Sequence, residues 1–236
     1  MEESNSSVQV VIPPKESFAK EWSSDQKAFK GVPWGKAMMW IFLVSDTFVF
    51  SIFLISYMTV RFSTKNEWPN PSEVFGLHVG QANVPLLLIA IMTFILITSS
   101  GTMALAVKYG YEKNRKMCGY LMLATAVLGA SFVGMQAFEW PKLIMEGVRP
   151  WSNTFGAPQF GAIFFMVTGF HGTHVTIGVI FLFIMSRKAW RGDFDTGRRG
   201  FFTSQKSNYE AIEIMGLYWH FVDLVWVFIF AFFYLW

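Results

Sequence analysis

The stretch Tyr218–Trp226, YWHFVDLVW, sets a histidine, an aspartate and two tryptophans inside an otherwise apolar run that ends at Trp236. From Leu217 onward the only formal charge is Asp223. A run this long and this apolar spans a bilayer as a helix. Ionisable groups at such depth are costly, so they usually serve a purpose. His220 and Asp223 are three positions apart and share one helical face. A second polar pair at the same spacing, His171 and His174, lies upstream.

Composition extends this reading to the whole chain. Of 236 residues, 53% are hydrophobic and 18% aromatic, against 15% charged. With a positive mean hydropathy, these values belong to an integral membrane protein. A single cysteine, Cys118, excludes a disulfide framework, a paired-cysteine copper site and the Cys-x-x-Cys-His attachment of c-type haem. Five segments, about 37–60, 84–107, 117–138, 160–185 and 215–236, are long and apolar enough to span as helices. The expected fold is therefore an all-α integral membrane protein, with a polar tail over 1–35 and a five-helix transmembrane domain over 36–236. The tail shows no apolar run resembling a signal peptide, and a short helix is expected near Phe18–Phe29. No internal repeat and no second soluble domain is visible.

Lysine and arginine sort by side. The tail and its edge carry Lys15, Lys20, Lys27, Lys30 and Lys36; the second connection carries Lys108, Lys113, Arg115 and Lys116. The fourth carries Arg187, Lys188, Arg191, Arg198, Arg199 and Lys206. These fifteen fall on one side, against Arg61, Lys65, Lys142 and Arg149 on the other. The positive-inside rule then puts the N-terminus in the cytoplasm and, with an odd number of spans, the C-terminus in the periplasm.

Asp46, in IFLVSDTFVF (Ile41–Phe50), lies ~15 Å up the first span. No cation neighbours it in sequence, so it is either protonated or paired with another helix. A structural hydrogen bond between helices and a part in lipid or proton traffic stay equally open. Gln136 and Glu139, three apart in FVGMQAFEWPKL, stand at the outer end of the third span, and Pro141 marks a helix end or kink. A carboxylate at the interface is cheap, so a solvated helix end is the plainer reading of Glu139. His171 and His174, in GFHGTHVTIG (Gly169–Gly178), sit ~16 Å below the outer end of the fourth span. Two histidines at this spacing can ligate a metal. The chain has only four histidines, however, and His78 is in a loop. Gly169, Gly172 and Gly178 suit close helix packing, so packed, hydrogen-bonded histidines are expected ahead of a metal site or a proton role.

Three of these stretches together resemble one family. GFHGTHVTIG in the fourth span, YWHFVDLVW in the fifth and LGASFVGMQAFEW (Leu128–Trp140) in the third are similar, in order and spacing, to stretches of subunit III of the haem-copper terminal oxidases, in its five-helix bacterial form. PLLLIAIMTFILITSSGTMALA (Pro85–Ala106) fits that family's proline-led helix with its Ser-Ser-Gly segment. The resemblance runs from about Trp34 to Trp236.

The resemblance implies an all-helical, cofactor-free, non-catalytic companion of oxidase subunits I and II. Those partners hold the haems and copper of an aerobic respiratory oxidase, which reduces dioxygen to water and pumps protons. Subunit III sustains proton uptake, protects the catalytic subunit during turnover and holds phospholipid. Ser45-Asp46 matches the family's buried Ser-Glu or Ser-Asp pair, the site of carbodiimide labelling in relatives. Asp46, Glu139, His171, His174, His220 and Asp223 are the candidate residues for a buried polar role related to protons or lipid; none is expected to be catalytic or to bind metal. This chain lacks the first hairpin of the seven-helix form. A small extra subunit in that place, and a respiratory supercomplex, therefore join the partner expectations, and no nucleic acid does. The expected location is a bacterial plasma (inner) membrane, crossed several times.

Ser-Asp and FVGMQAFEWPKLIMEG resemble the quinol oxidases, whereas Gln136 and GFHG resemble the cytochrome c branch. A cytochrome c oxidase is the expectation, a quinol oxidase the alternative. A stand-alone proton-coupled transporter, with Asp46, His171, His174, His220 and Asp223 as a relay, is more remote, because the repeats and broken helices of transporter folds are not visible. Finally, His220 and Asp223 are expected to bond each other or to reach the fourth span near His171 and His174, tying the fifth helix to the fourth.

Overall fold

A backbone in lipid has no partner but itself, so so apolar a chain satisfies its N–H and C=O groups by forming long helices. The computed structural model describes residues 34–79, 82–195 and 209–235. Among these, five helices are long and apolar enough to cross a membrane. They are α1 (Trp34–Ser63), α3 (Leu87–Tyr111), α4 (Arg115–Glu146), α5 (Gln159–Arg191) and α6 (Glu210–Phe230), the last continuing as a π-helical turn, Ala231–Leu235. The α1–α3 connection holds a one-turn helix, α2 (Pro71–Val74), and an antiparallel hairpin of β1 (Gly76–Val79) and β2 (Ala82–Pro85). The helix expected near Phe18–Phe29, the basic residues Arg198, Arg199 and Lys206, and Trp236 lie outside the described residues.

Several boundaries differ from the sequence reading, among them the end of the fourth span, which runs on to Arg191, and two that bear on the site. The second span was expected from about residue 84, but Ala82–Pro85 pair with Gly76–Val79, and α3 begins only after Leu86. The third was expected to stop near 138, with Pro141 as an end or kink, yet α4 runs on to Glu146. Proline removes one hydrogen bond from the ladder, but Leu143 beyond it is buried. Gly147, at φ 103°, then closes the helix in the left-handed conformation that glycine adopts most readily.

The helices are apolar on nearly every side because lipid accepts the outward face as well as protein accepts the inward one. What separates the faces is closeness of packing. The inward line of α4 includes Met122, Thr125, Gly129, Phe132, Gln136, Glu139 and Leu143, while Tyr120, Val127 and Phe138 stay exposed. The indole of Trp219 on α6 fills a slot between two glycines. A Cβ on Gly129 of α4 would lie 2.5 Å from its ring, and one on Gly178 of α5 would lie 2.9 Å away.

Short polar links join the helices in pairs. Thr102 meets Thr125 at 2.8 Å between α3 and α4, and the Ser186 hydroxyl donates to the Gly119 carbonyl at 2.8 Å between α5 and α4. α1 is the outlying helix. Only Leu43, Asp46, Phe50 and Tyr57 are buried on it, and it packs on α6 and α5. Lys36 pairs with Glu213 of α6 at its basic end. At the opposite end of the bundle, Lys142 of α4 donates to the Gly76 carbonyl at 2.6 Å and holds the hairpin down.

Gly129→Ala should drive Trp219 out of its slot and destabilise the bundle by about 1–3 kcal/mol, the usual range for overpacking. Gly134 has open space around its Cβ position, so Gly134→Ala is the control. Thermal melts in detergent should show Gly129→Ala several degrees below wild type and Gly134→Ala level with it; equal melting of the two variants would refute the slot.

Candidate functional site

Among the described residues, the candidate polar side chains of the inner helix faces fall mainly into three groups. The first joins α1 to α5. Asp46 stands on the inward stripe of α1, one turn from Leu43 and from Phe50. Its Oδ2 lies 3.4 Å from His174 Nε2, close but outside hydrogen-bonding geometry. His174 Nδ1 is 2.9 Å from the Phe170 carbonyl. A carbonyl only accepts, so Nδ1 carries a proton and Nε2 faces the carboxyl. Where a shared proton rests, on Oδ2 or on Nε2, therefore distinguishes a neutral pair from an ion pair at this contact. Tyr218 of α6 donates to the His174 carbonyl at 2.9 Å, which adds the third helix.

The second group centres on His171. It is fully buried, and neither ring nitrogen has a hydrogen-bond partner among the described residues. Its ring stacks on Trp226 at 5.4 Å and meets Phe132 edge-on at 6.0 Å. His174 is packed with one ring nitrogen bonded to a carbonyl, whereas His171 is packed without the hydrogen bonds expected of it. The two histidines also part ways: His171 faces the α4–α6 side and His174 faces Asp46. Among the described residues, no three His, Cys, Asp or Glu side chains gather as a metal ligand set.

The third group ties α6 to α3, not to α5 as expected. His220 Nδ1 lies 2.6 Å from the Ser100 hydroxyl. Trp219 Nε1 donates to Ser99 Oγ at 2.9 Å, and Trp226 Nε1 to Thr93 Oγ1 at 3.0 Å. His220 and Asp223 share a helical face, but no bond joins them, because the Ser100 hydroxyl takes the histidine. Asp223 is buried near Ser100, yet neither carboxylate oxygen has a hydrogen bond of normal geometry.

Glu139 stands apart from all three and corrects another expectation. It is no solvated helix end: α4 continues two turns beyond it, it is 3% exposed, and Gln136 Nε2 donates to it at 3.2 Å. A void of about 10 Å³ between Glu139, Lys142, Phe75 and Leu88 is about the size of one water molecule. Sequence reasoning passed over Thr93, Ser99, Ser100, Trp219 and Trp226 as tie points. Their signal was present: the two tryptophans are seven apart on one face of α6, and Ser99 and Ser100 are small hydroxyls in mid-helix.

Two outcomes follow. A hydrophobic carbodiimide should label Asp46, which lies at the α1–α5 seam, ahead of Glu139, and Asp46→Asn should abolish the label. Peptide mapping that finds it only on Glu139 would contradict this. Ser100→Ala should strand His220 Nδ1 and destabilise the bundle by about 1–3 kcal/mol, read as a melting shift of several degrees.

Comparison with known proteins agrees with this arrangement. The family described as Cytochrome c oxidase subunit III matches residues 21–236. Curated relatives from Staphylococcus epidermidis and Staphylococcus aureus, each named "Probable quinol oxidase subunit 3", are 32% identical over 196 residues, covering 83% of this chain and 86% of the relative. Matched along nearly its whole length, the chain belongs to the cytochrome c oxidase subunit III family of the haem-copper oxidases.

Proposed function

We propose that the chain is the non-catalytic third subunit of a proton-pumping aerobic oxidase in a bacterial plasma membrane. In this reading it holds no haem or metal of its own and sustains proton uptake by, and the stability of, a catalytic subunit. The observation that carries the reading is where its buried polar side chains end. Thr93, Ser99, Ser100, Thr125 and Ser186 each meet a group on another helix of the same chain. That pattern ties a bundle together and does not converge on a reacting centre. Oxidase subunits I and II supply the haems and copper. Among the described residues, Asp46 of the outlying helix α1 faces His174 of α5 at 3.4 Å, a pair placed to pass a proton between these two helices.

Cytochrome c is the electron donor of this reading. A quinol is the second reading, favoured by the names of the staphylococcal relatives. The complex, purified through a tag on this chain, should carry haem absorbance and consume oxygen with reduced cytochrome c. Oxygen uptake with a quinol alone would transfer the chain to the second reading, and absence of haem from the purified complex would overturn both. Dissociated from its partners, the chain should carry neither iron nor copper; a stoichiometric amount of either by elemental analysis would contradict the cofactor-free role.

Asp223 tests docking against chemistry. Asp223→Asn should lower the content of this subunit in the purified complex while initial turnover persists. Full retention of the subunit, with oxygen reduction lost from the first turnover, would instead favour a direct proton role.

A further inference from the structure

The void beside Glu139, about 10 Å³ in volume, is lined by Phe75, Leu88, Ile89, Glu139, Lys142 and Leu143. It lies where the α1–α3 connection meets the bundle. Phe75 immediately precedes β1, Leu88 and Ile89 open α3 just after β2, and Glu139, Lys142 and Leu143 fall within about one turn of α4. The void thus sits under both feet of the hairpin.

Its walls are fixed by the bundle itself. Phe75 packs on Tyr234 at 4.3 Å and on Phe164 at 5.3 Å, and Ile89 and Leu143 are buried. The two polar residues on the wall each keep one bonding capacity to spare. Gln136 Nε2 donates to Glu139 Oε2 at 3.2 Å, which leaves the other carboxyl oxygen for a second partner. The Lys142 ammonium carries three donors. One goes to the Gly76 carbonyl at 2.6 Å and one faces Glu146 at 3.6 Å, which leaves a third. A buried carboxyl oxygen without a partner is costly.

We propose that this void binds a single water molecule, which accepts from Lys142 Nζ and donates to the Glu139 carboxyl, and so ties the hairpin to the interior of α4. Size and charge select this occupant. A void of this volume holds one water and nothing larger, and its carboxyl and ammonium set it apart from apolar cavities, which stay dry. The ammonium on the wall also repels a metal cation. Glu139 is then a positioning residue: through the water it steadies the ammonium that holds Gly76, and with it the seat of the hairpin. This role requires neither proton transfer nor lipid contact by Glu139, and it stands whichever electron donor the complex uses.

The test uses the purified complex in nanodiscs. Cryo-electron microscopy at a resolution that shows ordered water should find density between the Glu139 carboxyl and Lys142 Nζ; a dry void in wild type would overturn the proposal. Amide hydrogen exchange along β1 and β2, read by mass spectrometry, should quicken about tenfold in Glu139→Leu. Glu139→Gln keeps an oxygen to accept from the water and should stay near wild type. Leu88→Phe fills the void and should quicken exchange as Glu139→Leu does. In a Lys142→Met background, which already lacks the bridge, Glu139→Leu should add nothing further. Unchanged exchange in Glu139→Leu, equal quickening in Glu139→Gln, slower exchange in Leu88→Phe or additive effects in the double variant would each overturn the bridge. If Glu139→Leu does not assemble, the density in wild type and the exchange in Leu88→Phe decide.

Discussion

The slot that holds Trp219 is the constraint on which the rest of the bundle depends. Inside a bilayer, helices gain little from hiding apolar surface, because lipid tails solvate leucine as well as protein does. Association comes instead from close packing and from polar groups that have no water to turn to. Trp219 meets both demands at once: Gly129 and Gly178 give its ring room on α4 and α5, and Ser99 on α3 takes its N–H. Two turns further along, Trp226 repeats the device with Thr93, His171 and Phe132. Helix α6 thereby touches every other spanning helix, so α6 sets their spacing.

The ionisable residues divide according to how they are satisfied. His174 is oriented by a carbonyl of its own helix, so its second nitrogen faces Asp46 at 3.4 Å. His220 is held by a hydroxyl of α3. His171 has only aromatic faces and edges around it, which a neutral imidazole tolerates and a charged one does not. Asp223 and Glu139 carry carboxyl groups in surroundings almost as dry. These residues stand on different seams of the bundle, so no single centre collects them. Membership of an oxidase subunit family fits this pattern, since a companion subunit needs internal rigidity and outward surfaces more than a reaction site of its own.

Its outward surfaces are of two kinds. Most of α1 presents apolar side chains with a narrow inward stripe, leaving a wide face for lipid or for neighbouring subunits. The basic end of the α4–α5 seam is different, because two arginines stand over a hydrocarbon trough whose wall is fixed by a tryptophan resting on a glycine.

Much of this was legible in the chain itself. Apolar length defined five spans, since a backbone in lipid has no alternative to the helix, and the motifs around His171, His220 and Glu139 pointed to the family. Helical spacing showed that His220 and Asp223 share a face, and that Asp46 sits in mid-span. The partner of each polar residue was not legible. Spacing reports direction around one helix, but the rotation of a neighbouring helix depends on packing contributed by all of them. Thus Ser100 meets His220 because Trp219 seats α6 against α3, and α4 passes Pro141 because Leu143 is buried beyond it and Gly147 closes it. Glu139 is buried for the same reason. Sequence determined which segments enter the membrane and which residues share a face; only tertiary structure decided which faces meet, because that outcome belongs to close packing among five helices together.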